Sequence, residues 1–390
     1  VHGRLEATRG RLDTVGRGVF DRRRRFELGR DQDLLIGLCL SIDLSKAFDK
    51  ADRSLIARAM RLAGVPEGLV ADAIALHSTC DYLLVGPKDT TRIRTTRGIR
   101  QGCRLAPLLW AFLSGQLLRD ACGDTSPVTS PWTAFADDTT GDWCCDSEAQ
   151  VHTPLAQMGT LFDALEAYGL DANPDKSGIL VERRGVAGRR LLLSLTTGRG
   201  PRTLRIPTRK GILSIPIVAT LKYLGTTLSW QHSTRLTCAL RLREASSRAN
   251  MIKRATRSRR GMTTSQNIRL WETCALSCAI YGLPVLPLQE AHLAKIRGWF
   301  FRQLRAIANL PAHLTKVSNA ELLRRFRVAD PITRIRDRVR NKLARLEAAG
   351  PLPGLQDVDQ WRFLNTALEA PPRETKHTGE EQEHRCDQCN

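Results

Sequence analysis

The stretch Ala134-Phe135-Ala136-Asp137-Asp138-Thr139-Thr140 decides the fold. It places two adjacent carboxylates after a short apolar run that begins near Trp132, and a threonine pair follows them. This order is typical of a strand, a tight turn and a return strand. Two like charges at an apolar strand end are costly unless a positive group neutralises them. A divalent cation is the first candidate, and this stretch alone leaves a solvated Asp-Asp turn open as the alternative.

Another acid follows a second apolar run. Residues 34–42 are almost continuously apolar, which predicts a buried central strand, and Asp43 comes directly after them. If both segments pair in one antiparallel sheet, Asp43, Asp137 and Asp138 converge at one edge, and helices cover the other face of the sheet. Such a trio suits two Mg²⁺ ions that activate an attacking hydroxyl and stabilise a leaving phosphate oxygen.

The rest of the chain alternates strands and helices up to about residue 232 and is helical after that. Helical spacing predicts helices over 52–63, 67–77, 107–121 and 148–168. Alternating residues predict a hairpin over 82–95, a short strand over 178–181 and a hairpin that begins at Leu221. Residues 184–219 contain short apolar runs compatible with strands. Residues 234–349 show a helical pattern with breaks near prolines, and residues 350–380 read as a linker.

The positive charge is concentrated in the helical part. The net charge is +20, and residues 235–345 contain 24 Lys or Arg against 6 Asp or Glu. Residues 346–390 are acidic by comparison, with 4 against 9. A dense positive surface beside an acid cluster indicates a protein that binds a phosphate backbone next to a metal site. A solubilising surface is the alternative, although such surfaces usually mix both signs. The arginines occur in two groups: Arg254, Arg257, Arg259 and Arg260, and Arg334, Arg336, Arg338 and Arg340.

The chain lacks the signals of export and membrane insertion. No apolar run is long enough to span a bilayer, and no signal peptide opens the sequence. The eleven cysteines are scattered, which favours a reducing compartment, the nucleus or the cytoplasm. The chain begins at Val1 and ends at Asn390, directly after a Cys-x-x-Cys, so we interpret it as a fragment of a longer polypeptide.

Five segments in order resemble the motif series of reverse transcriptases, specifically those of non-LTR (LINE-type) retrotransposons. They are 41–49 (motif A), 97–103 (motif B), 135–138 (motif C), Gly169-Leu170 with Asn173, Lys176 and Ser177 (motif D), and 222–225 (motif E). Each one is a weak pattern, but five in the right order over about half of the chain are a strong signal. Residues 279–282 and 304–305 resemble the thumb of the same family more loosely.

The resemblance implies an α+β fold, the right-hand polymerase. Its fingers and palm contain a small antiparallel sheet backed by helices, and an all-helical thumb follows. We therefore expect partial fingers over 1–40, the fingers and palm core over 41–232, a basic helical thumb over 233–349, and a linker with the start of a truncated Cys/His zinc finger over 350–390. Cys386 and Cys389 are half of a zinc site, so we expect no zinc bound within this chain.

The resemblance also implies roles for single residues. Asp43, Asp137 and Asp138 are the expected ligands of two Mg²⁺ ions, with Mn²⁺ as an alternative, and Lys176 is expected to protonate the departing pyrophosphate or hold its charge. Phe48 is expected to crowd the sugar 2′-position, and a core phenylalanine is the alternative. Gln101 and Gly102 are expected to line the nucleotide pocket, and Lys222, Tyr223, Leu224 and Gly225 to grip the primer.

The function implied is RNA-directed DNA polymerase activity. The expected partners are an RNA template, a DNA primer, their hybrid and deoxynucleoside triphosphates, together with further domains of the same polyprotein. An RNA-dependent RNA polymerase, an intron-encoded protein and an inactive nucleic-acid-binding remnant are the alternatives. Two departures favour the remnant: Arg104 and Ala106 replace the usual Pro and Ser, and residues 1–33 lack recognisable basic fingers apart from Arg22–Arg25.

Overall fold

A computed structural model describes residues 35–79, 81–87, 89–123, 131–173, 176–197, 202–230, 232–257, 262–286 and 288–348. Several predictions lie outside the described residues. They concern residues 1–34 of the partial fingers with Arg22–Arg25, the linker and the Cys386–Cys389 pair, Arg259 and Arg260, and the middle of the motif D segment at residues 174–175.

The first part of the described chain mixes strands and helices. In order, its elements are β1 (Ile36–Asp43), α1 (Ala47–Lys50), α2 (Arg53–Leu62), α3 (Glu67–Ser78), β2 (Asp81–Val85), β3 (Thr90–Arg94), α4 (Ala106–Cys122), β4 (Trp132–Phe135), β5 (Asp138–Cys145), a 3₁₀ turn (Ala149–Val151), α5 (His152–Ala167), β6 (Gly178–Arg183), α6 (Gly185–Leu195), β7 (Thr203–Thr208), β8 (Gly211–Pro216), β9 (Leu221–Tyr223) and β10 (Thr226–Leu228).

The second part is helical. Its elements are α7 (Ser233–Arg257), α8 (Thr264–Trp271), a π-helical turn (Glu272–Leu276), α9 (Ser277–Ile280), a 3₁₀ turn (Leu283–Val285), α10 (Glu290–Ala308), α11 (Ala312–Thr315), α12 (Asn319–Phe326) and α13 (Pro331–Ala348). None of the helices in the described ranges combines the length and apolar character that a membrane span requires.

A four-stranded antiparallel sheet in the order β4-β5-β1-β6 forms the centre of the first part. Its central strand β1 is buried along its length apart from Asp43, as the near-continuous apolar run predicts. Side chains alternate between the two faces of a strand, so the even-numbered residues of β1 point one way and the odd-numbered residues the other. Leu38, Leu40 and Ile42 belong to a core formed with α2, α4 and α5, and Cys39 belongs to a second core formed with the helical part.

The predicted α+β class with a small antiparallel sheet backed by helices is confirmed. The predicted hairpins are present as β2–β3 and β9–β10, and the helices near 52–63, 67–77, 107–121 and 148–168 are present as α2 to α5. One interpretation was wrong in part. Within residues 184–219, the run 185–195 forms helix α6, because Leu191 and Leu192 bury one face of a helix that follows β6 directly. The remainder forms the hairpin β7–β8.

The hairpin β7–β8 packs against α5 at a helix glycine. A Cβ atom at Gly159 would overlap the backbone carbonyl oxygen of Pro207 in β7. The turn of the hairpin is tied to the same helix, because the amide of Arg209 donates to the carboxylate of Asp163 and Lys210 pairs with Glu166. The absence of a side chain at Gly159 therefore allows the backbones of α5 and β7 to approach each other closely.

We predict that Gly159→Ala destabilises the protein by about 1–3 kcal/mol, because the added methyl group displaces β7 rather than a flexible side chain. Gly115→Ala in α4 is the matched control, since a Cβ there meets no atom within 4 Å. The control removes backbone freedom from the unfolded chain and should stabilise by roughly 0.5–1 kcal/mol. Thermal or urea unfolding of both variants measures the difference, and equal shifts in both would refute the close approach.

Candidate active site

The candidate active site lies where β1 ends beside the β4–β5 hairpin. Asp43 is the register partner of Asp138 in the β1–β5 pair, and Phe135 is the partner of Asp138 in the hairpin. Register partners in an antiparallel sheet point to the same face. The carboxylates of Asp43 and Asp138 therefore lie on the face that bears Cys39, which is the face covered by the helical part. Asp137 occupies the turn between the two strands and is half-buried.

The motif D segment holds the end of β1 through main-chain atoms. The amide of Asn173 donates to the carbonyl of Asp43 (2.7 Å), and the amide of Asp43 donates to Oγ of Ser177 (3.2 Å). The ammonium group of Lys176 lies 3.2 Å from Oδ2 of Asp43, with the lysine side chain 65% and the aspartate side chain 22% exposed. One predicted positive residue is therefore in contact with one predicted acid.

The turn that bears Asp137 is fixed by a tryptophan in α4. Ala136 has a left-handed backbone with φ 52°, a conformation that costs a residue with a side chain roughly 1–2 kcal/mol. The indole Nε1 of Trp110 donates to the Ala136 carbonyl at 2.6 Å, which orients the peptide that precedes Asp137. The same indole ring stacks on Phe48 with a centroid distance of 5.3 Å. Trp110 thus joins the acid turn to the predicted sugar-gate residue.

Phe48 is half-buried and belongs to the edge of the first core. Its position against Trp110 is compatible with both roles considered for it, because a stacked ring can also present its free edge to a ligand. The carbonyl of Phe48 accepts a hydrogen bond from the amide of Ile99 (2.8 Å). The motif A helix is therefore bound to the segment that leads to Gln101.

Gln101 and Gly102 lie in an exposed turn of the segment Thr95–Cys103, hereafter the 95–103 loop. Gly102 has φ 88°, and no atom lies within 4 Å of the place where its Cβ would be. The space in front of this backbone is therefore open to a ligand. Earlier in the loop, Gly98 has φ 87°, and its missing Cβ would lie 2.7 Å from the carbonyl oxygen of Asp49.

The hairpin β9–β10 presents Lys222 and Gly225 to solvent and buries Tyr223 and Leu224. Leu224 and Gly225 have φ 45° and 79°, which is the pattern of a two-residue hairpin turn. The hairpin is attached to the start of α7, because Oγ1 of Thr237 accepts from the amide of Thr227 (3.0 Å) and donates to its carbonyl (3.2 Å).

Arg241 and Tyr281 pack directly on the β9–β10 turn. The Arg241 guanidinium lies 4.8 Å from the Tyr281 ring centroid and donates from Nη1 to Glu244 at 2.8 Å. A Cβ at Gly225 would overlap Nη2 of Arg241 and would lie 2.9 Å from Cε1 of Tyr281. Because the Arg241 side chain is only 9% exposed and is held on two sides, it has little room to give way.

The chemistry of the acid cluster suits a hard divalent cation. Carboxylates directly opposite each other in a sheet repel, and oxygen donors are the ligands that Mg²⁺ prefers. Across the described ranges, no three carboxylate, cysteine or histidine side chains are close enough, as arranged, to hold a metal ion together. In this arrangement Lys176 supplies the positive charge beside Asp43.

A stripe of basic side chains follows one face of α7. At about 100° per residue, Arg235, Arg243, Lys253 and Arg254 fall within an arc of about 100°, and all four are exposed. We call them the α7 basic stripe. A neighbouring face of the helix is buried and includes Cys238, Ala245 and Ala249. In α13 the arginines are spread around the helix, as their alternation predicts: Arg334 pairs with Glu272, and Arg340 lies 3.6 Å from Asp337.

Sequence reasoning missed the residues that hold these segments in place. Trp110, Arg53, His77 and Arg241 each contact a predicted motif, but none of them belongs to one. The partners of Arg53 and His77 lie 23 to 45 residues away in sequence, and no local pattern reports contacts at such separations. The α7 basic stripe could have been predicted from the sequence, because the helical period places its members on one face.

Residues 21–228 match the family described as reverse transcriptase (RNA-dependent DNA polymerase). The chain is 30% identical over 201 residues to a retrovirus-related Pol polyprotein from the type-1 retrotransposable element R2 of Popillia japonica; the match covers 49% of this chain and 30% of the polyprotein. A second R2 polyprotein of Popillia japonica is 31% identical over 147 residues, or 35% of this chain and 20% of that polyprotein. The chain therefore spans less than a third of these relatives.

Solved telomerase structures are similar at low sequence identity. Apo telomerase from Candida tropicalis has a TM-score of 0.43 and 11% identity, with 91% of this chain and 57% of that chain covered. Telomerase from Candida albicans in complex with a fragment of telomeric RNA has a TM-score of 0.33 and 12% identity, with 89% and 56% covered.

We predict that Gly225→Ala costs more stability than a left-handed glycine normally does. Gly64→Ala is the control, because Gly64 has a similar φ of 75° but no atom within 4 Å of its missing Cβ. The control should lose roughly 1–2 kcal/mol through backbone strain alone. Gly225→Ala should lose about 1–3 kcal/mol beyond that, because the methyl group must displace the buried Arg241. Urea unfolding measures the loss of unfolding free energy in each variant. Equal losses in Gly225→Ala and Gly64→Ala would show that the Arg241 side chain moves aside without cost.

Proposed function

The chain belongs to the reverse transcriptase (RNA-dependent DNA polymerase) family, and we propose that it adds deoxynucleotides to a primer 3′-hydroxyl on an RNA template. The single observation that supports the proposal is the register pairing of Asp43 with Asp138, because it sets acids from two distant motifs opposite each other. The R2 relatives agree with the non-LTR type that the motif spelling indicates.

Members of the family use divalent metal ions, and we propose Mg²⁺ or Mn²⁺ here, held by Asp43, Asp137 and Asp138. Two bound ions would supply activation of the primer hydroxyl and stabilisation of charge on the leaving phosphate oxygen. The role of the chain itself is to hold the carboxylates. The β1–β5 register sets Asp43 and Asp138, and Trp110 sets the turn of Asp137 through the Ala136 carbonyl.

Lys176 is proposed to act on the pyrophosphate that leaves. Its ammonium group pairs with Asp43 at 3.2 Å, and its side chain is 65% exposed. A long exposed side chain can move from the acid to an entering triphosphate at low cost, because surface ion pairs are worth only about 0–1 kcal/mol. Lys176 would then donate a proton to the departing group or neutralise its charge.

Phe48, Gln101 and Gly102 are proposed to form the nucleotide pocket. The open space at the Gly102 backbone supports close approach of a base or sugar, and the bond between Ile99 and Phe48 fixes the spacing between the loop and the gate residue. Phe48 is proposed to exclude the 2′-hydroxyl. The supporting observation is its half-buried position on Trp110, which prevents the ring from turning away freely.

The turn Lys222–Gly225 is proposed to grip the primer end, and residues 41–232 and 233–349 to serve as fingers and palm and as thumb. The acids lie on the sheet face that the second core covers, and Leu221, Tyr223 and Leu224 belong to that core. The grip and the acids are therefore on the same side of the sheet.

The α7 basic stripe is proposed to follow the phosphate backbone of the RNA–DNA hybrid. Its members extend over about 28 Å at 1.5 Å per residue, and Glu244, the acid within that length of helix, lies outside the arc of the stripe. Arginines without interleaved aromatic rings suit phosphate contact rather than base reading. This location differs from the predicted Arg254–Arg260 cluster, of which only Arg254 has a described side chain.

We predict that Asp137→Asn abolishes nucleotide addition, because the loss of one metal ligand removes electrostatic stabilisation of several kcal/mol. Asp146→Asn, which changes an exposed carboxylate just beyond β5, is the control and should leave extension unchanged. Primer extension on an RNA template, with deoxynucleotides and ribonucleotides in separate reactions, makes the measurement. Extension at the unsubstituted rate by Asp137→Asn would contradict the proposal. Hybrid binding without extension in the unsubstituted chain would favour an inactive remnant.

We predict that Arg235→Gln, Arg243→Gln and Arg254→Gln together flatten the salt dependence of hybrid binding. Each lost phosphate contact should lower the slope of log affinity against log salt by roughly 0.7–0.9, and affinity should fall about equally for all sequences. The charge-matched control replaces the exposed Arg189, Arg190 and Arg205, which lie on α6 and β7. Identical slopes in the two triple variants would show that the stripe is only a solvated face.

A further inference from the structure

The 95–103 loop stands in front of a cavity. The cavity has a volume of about 350 Å³ and is lined by Asp49, Arg53, His77, Thr95, Arg97 and Arg100, together with the Gly98–Ile99 backbone. Ile99 anchors the loop in the first core, whereas mainly polar residues line the cavity side of the loop. Hydrogen bonds also hold the loop, and several of them involve two residues outside the motif series, Arg53 and His77.

Arg53 holds the first half of the loop. Its guanidinium donates to the carbonyls of Gly98 (2.9 Å), Thr95 (3.0 Å) and Arg97 (2.9 Å), and also to Oγ1 of Thr95 (2.8 Å). The amides of Gly98 and Ile99 donate to the carbonyls of Ala51 and Phe48. These bonds end at Ile99, two residues before Gln101.

His77 holds the second half. It lies in the last turn of α3 and is 1% exposed. The backbone amide of Arg100 donates to its Nδ1 at 3.2 Å. Because a backbone amide can only donate, Nδ1 must bear a lone pair, and the ring proton of the neutral imidazole is then on Nε2. Nε2 lies 3.9 Å from Sγ of Cys103, at the other end of the same turn.

We propose that His77 is a positioning residue for the nucleotide pocket, because it fixes Arg100 and Cys103 on either side of Gln101 and Gly102. This inference rests on the proposed role of those two residues. Helix α3, which lies outside the motif series, would then set the distance between the loop backbone and an incoming nucleoside triphosphate through His77. The bond of the ring to Arg100 exists only while Nδ1 is unprotonated.

The surroundings favour the neutral ring. Burial first, and then the positive charges of Arg53 and Arg100, lower the pKa of His77 below its ordinary value. Arg97 and Asp49 face the same cavity from the loop and from α1, and Cys103 faces the ring directly. Between the lowered value and about 6.5, the unfolded chain binds the proton and the folded chain does not, so stability falls as pH falls through this range. Below the lowered value the folded ring becomes a donor at Nδ1 and the Arg100 bond is lost.

The test compares His77→Asn with His77→Leu in the full chain. The side-chain oxygen of asparagine takes roughly the place of Nδ1 and accepts from Arg100, but it does not titrate, whereas leucine offers no acceptor. Steady-state extension gives KM for the deoxynucleotide and kcat separately. His77→Leu should raise KM roughly 2- to 12-fold, the equivalent of one hydrogen bond, with a smaller change in kcat. His77→Asn should restore KM at neutral pH and should lack the rise in KM that the unsubstituted chain shows in acid.

Hydrogen exchange of the Arg100 amide provides a readout that needs no catalysis. Its protection should be lost in His77→Leu and retained in His77→Asn, while His152→Asn, an exposed histidine on α5, changes neither protection nor KM. Retained Arg100 protection in His77→Leu would overturn the inference, and so would the same acid rise of KM in His77→Asn as in the unsubstituted chain. An unsubstituted chain that adds no nucleotide would contradict the proposed function, and the exchange experiment would still decide whether His77 holds the loop.

Discussion

The alternation of side chains along β1 is the constraint on which the rest of the structure depends. The even-numbered residues Leu38, Leu40 and Ile42 fill one core, and Cys39 and Asp43 point to the opposite side. A slip of one residue against β5 would exchange the two faces, so it would bury Asp43 among apolar side chains and separate it from Asp138. The cost of burying a charge without a partner therefore enforces the same register that brings the acids together.

The motifs are bound to each other largely through main-chain groups. Asn173 donates to the Asp43 carbonyl, Ile99 donates to the Phe48 carbonyl, and Trp110 donates to the Ala136 carbonyl. Such bonds depend on backbone position more than on the identity of the accepting residue. At the positions where Arg104 and Ala106 replace the usual motif B residues, the amide of Ala106 bonds the carbonyl of Cys103, and α4 begins there.

Much of the fold follows from local patterns in the sequence. The acid hairpin, the buried β1 and helices α2 to α5 are predicted from alternation, apolar runs and helical spacing. Helix α6 was not, because a short apolar run such as Leu191–Leu195 is equally compatible with a strand until its partner is known. The acids were predicted from their motifs, but the bond of Arg100 to His77 and the stacking of Phe48 on Trp110 join residues from separate segments. Only tertiary structure reveals those contacts.

The attachment of the β9–β10 hairpin to α7 has a mechanical consequence. Thr237 bonds both main-chain groups of Thr227, and Oγ of Ser233 accepts from the amide of Ser229 and donates to its carbonyl, so hairpin and helix form one rigid body. Val218 bonds the segment before the hairpin to Ile179 of β6, and Leu221, Tyr223 and Leu224 pack in the same core as Leu180 of that strand. The direction of the turn is therefore inherited from the first turns of a long helix rather than from a loop, so the packing that orients α7 also aims the hairpin.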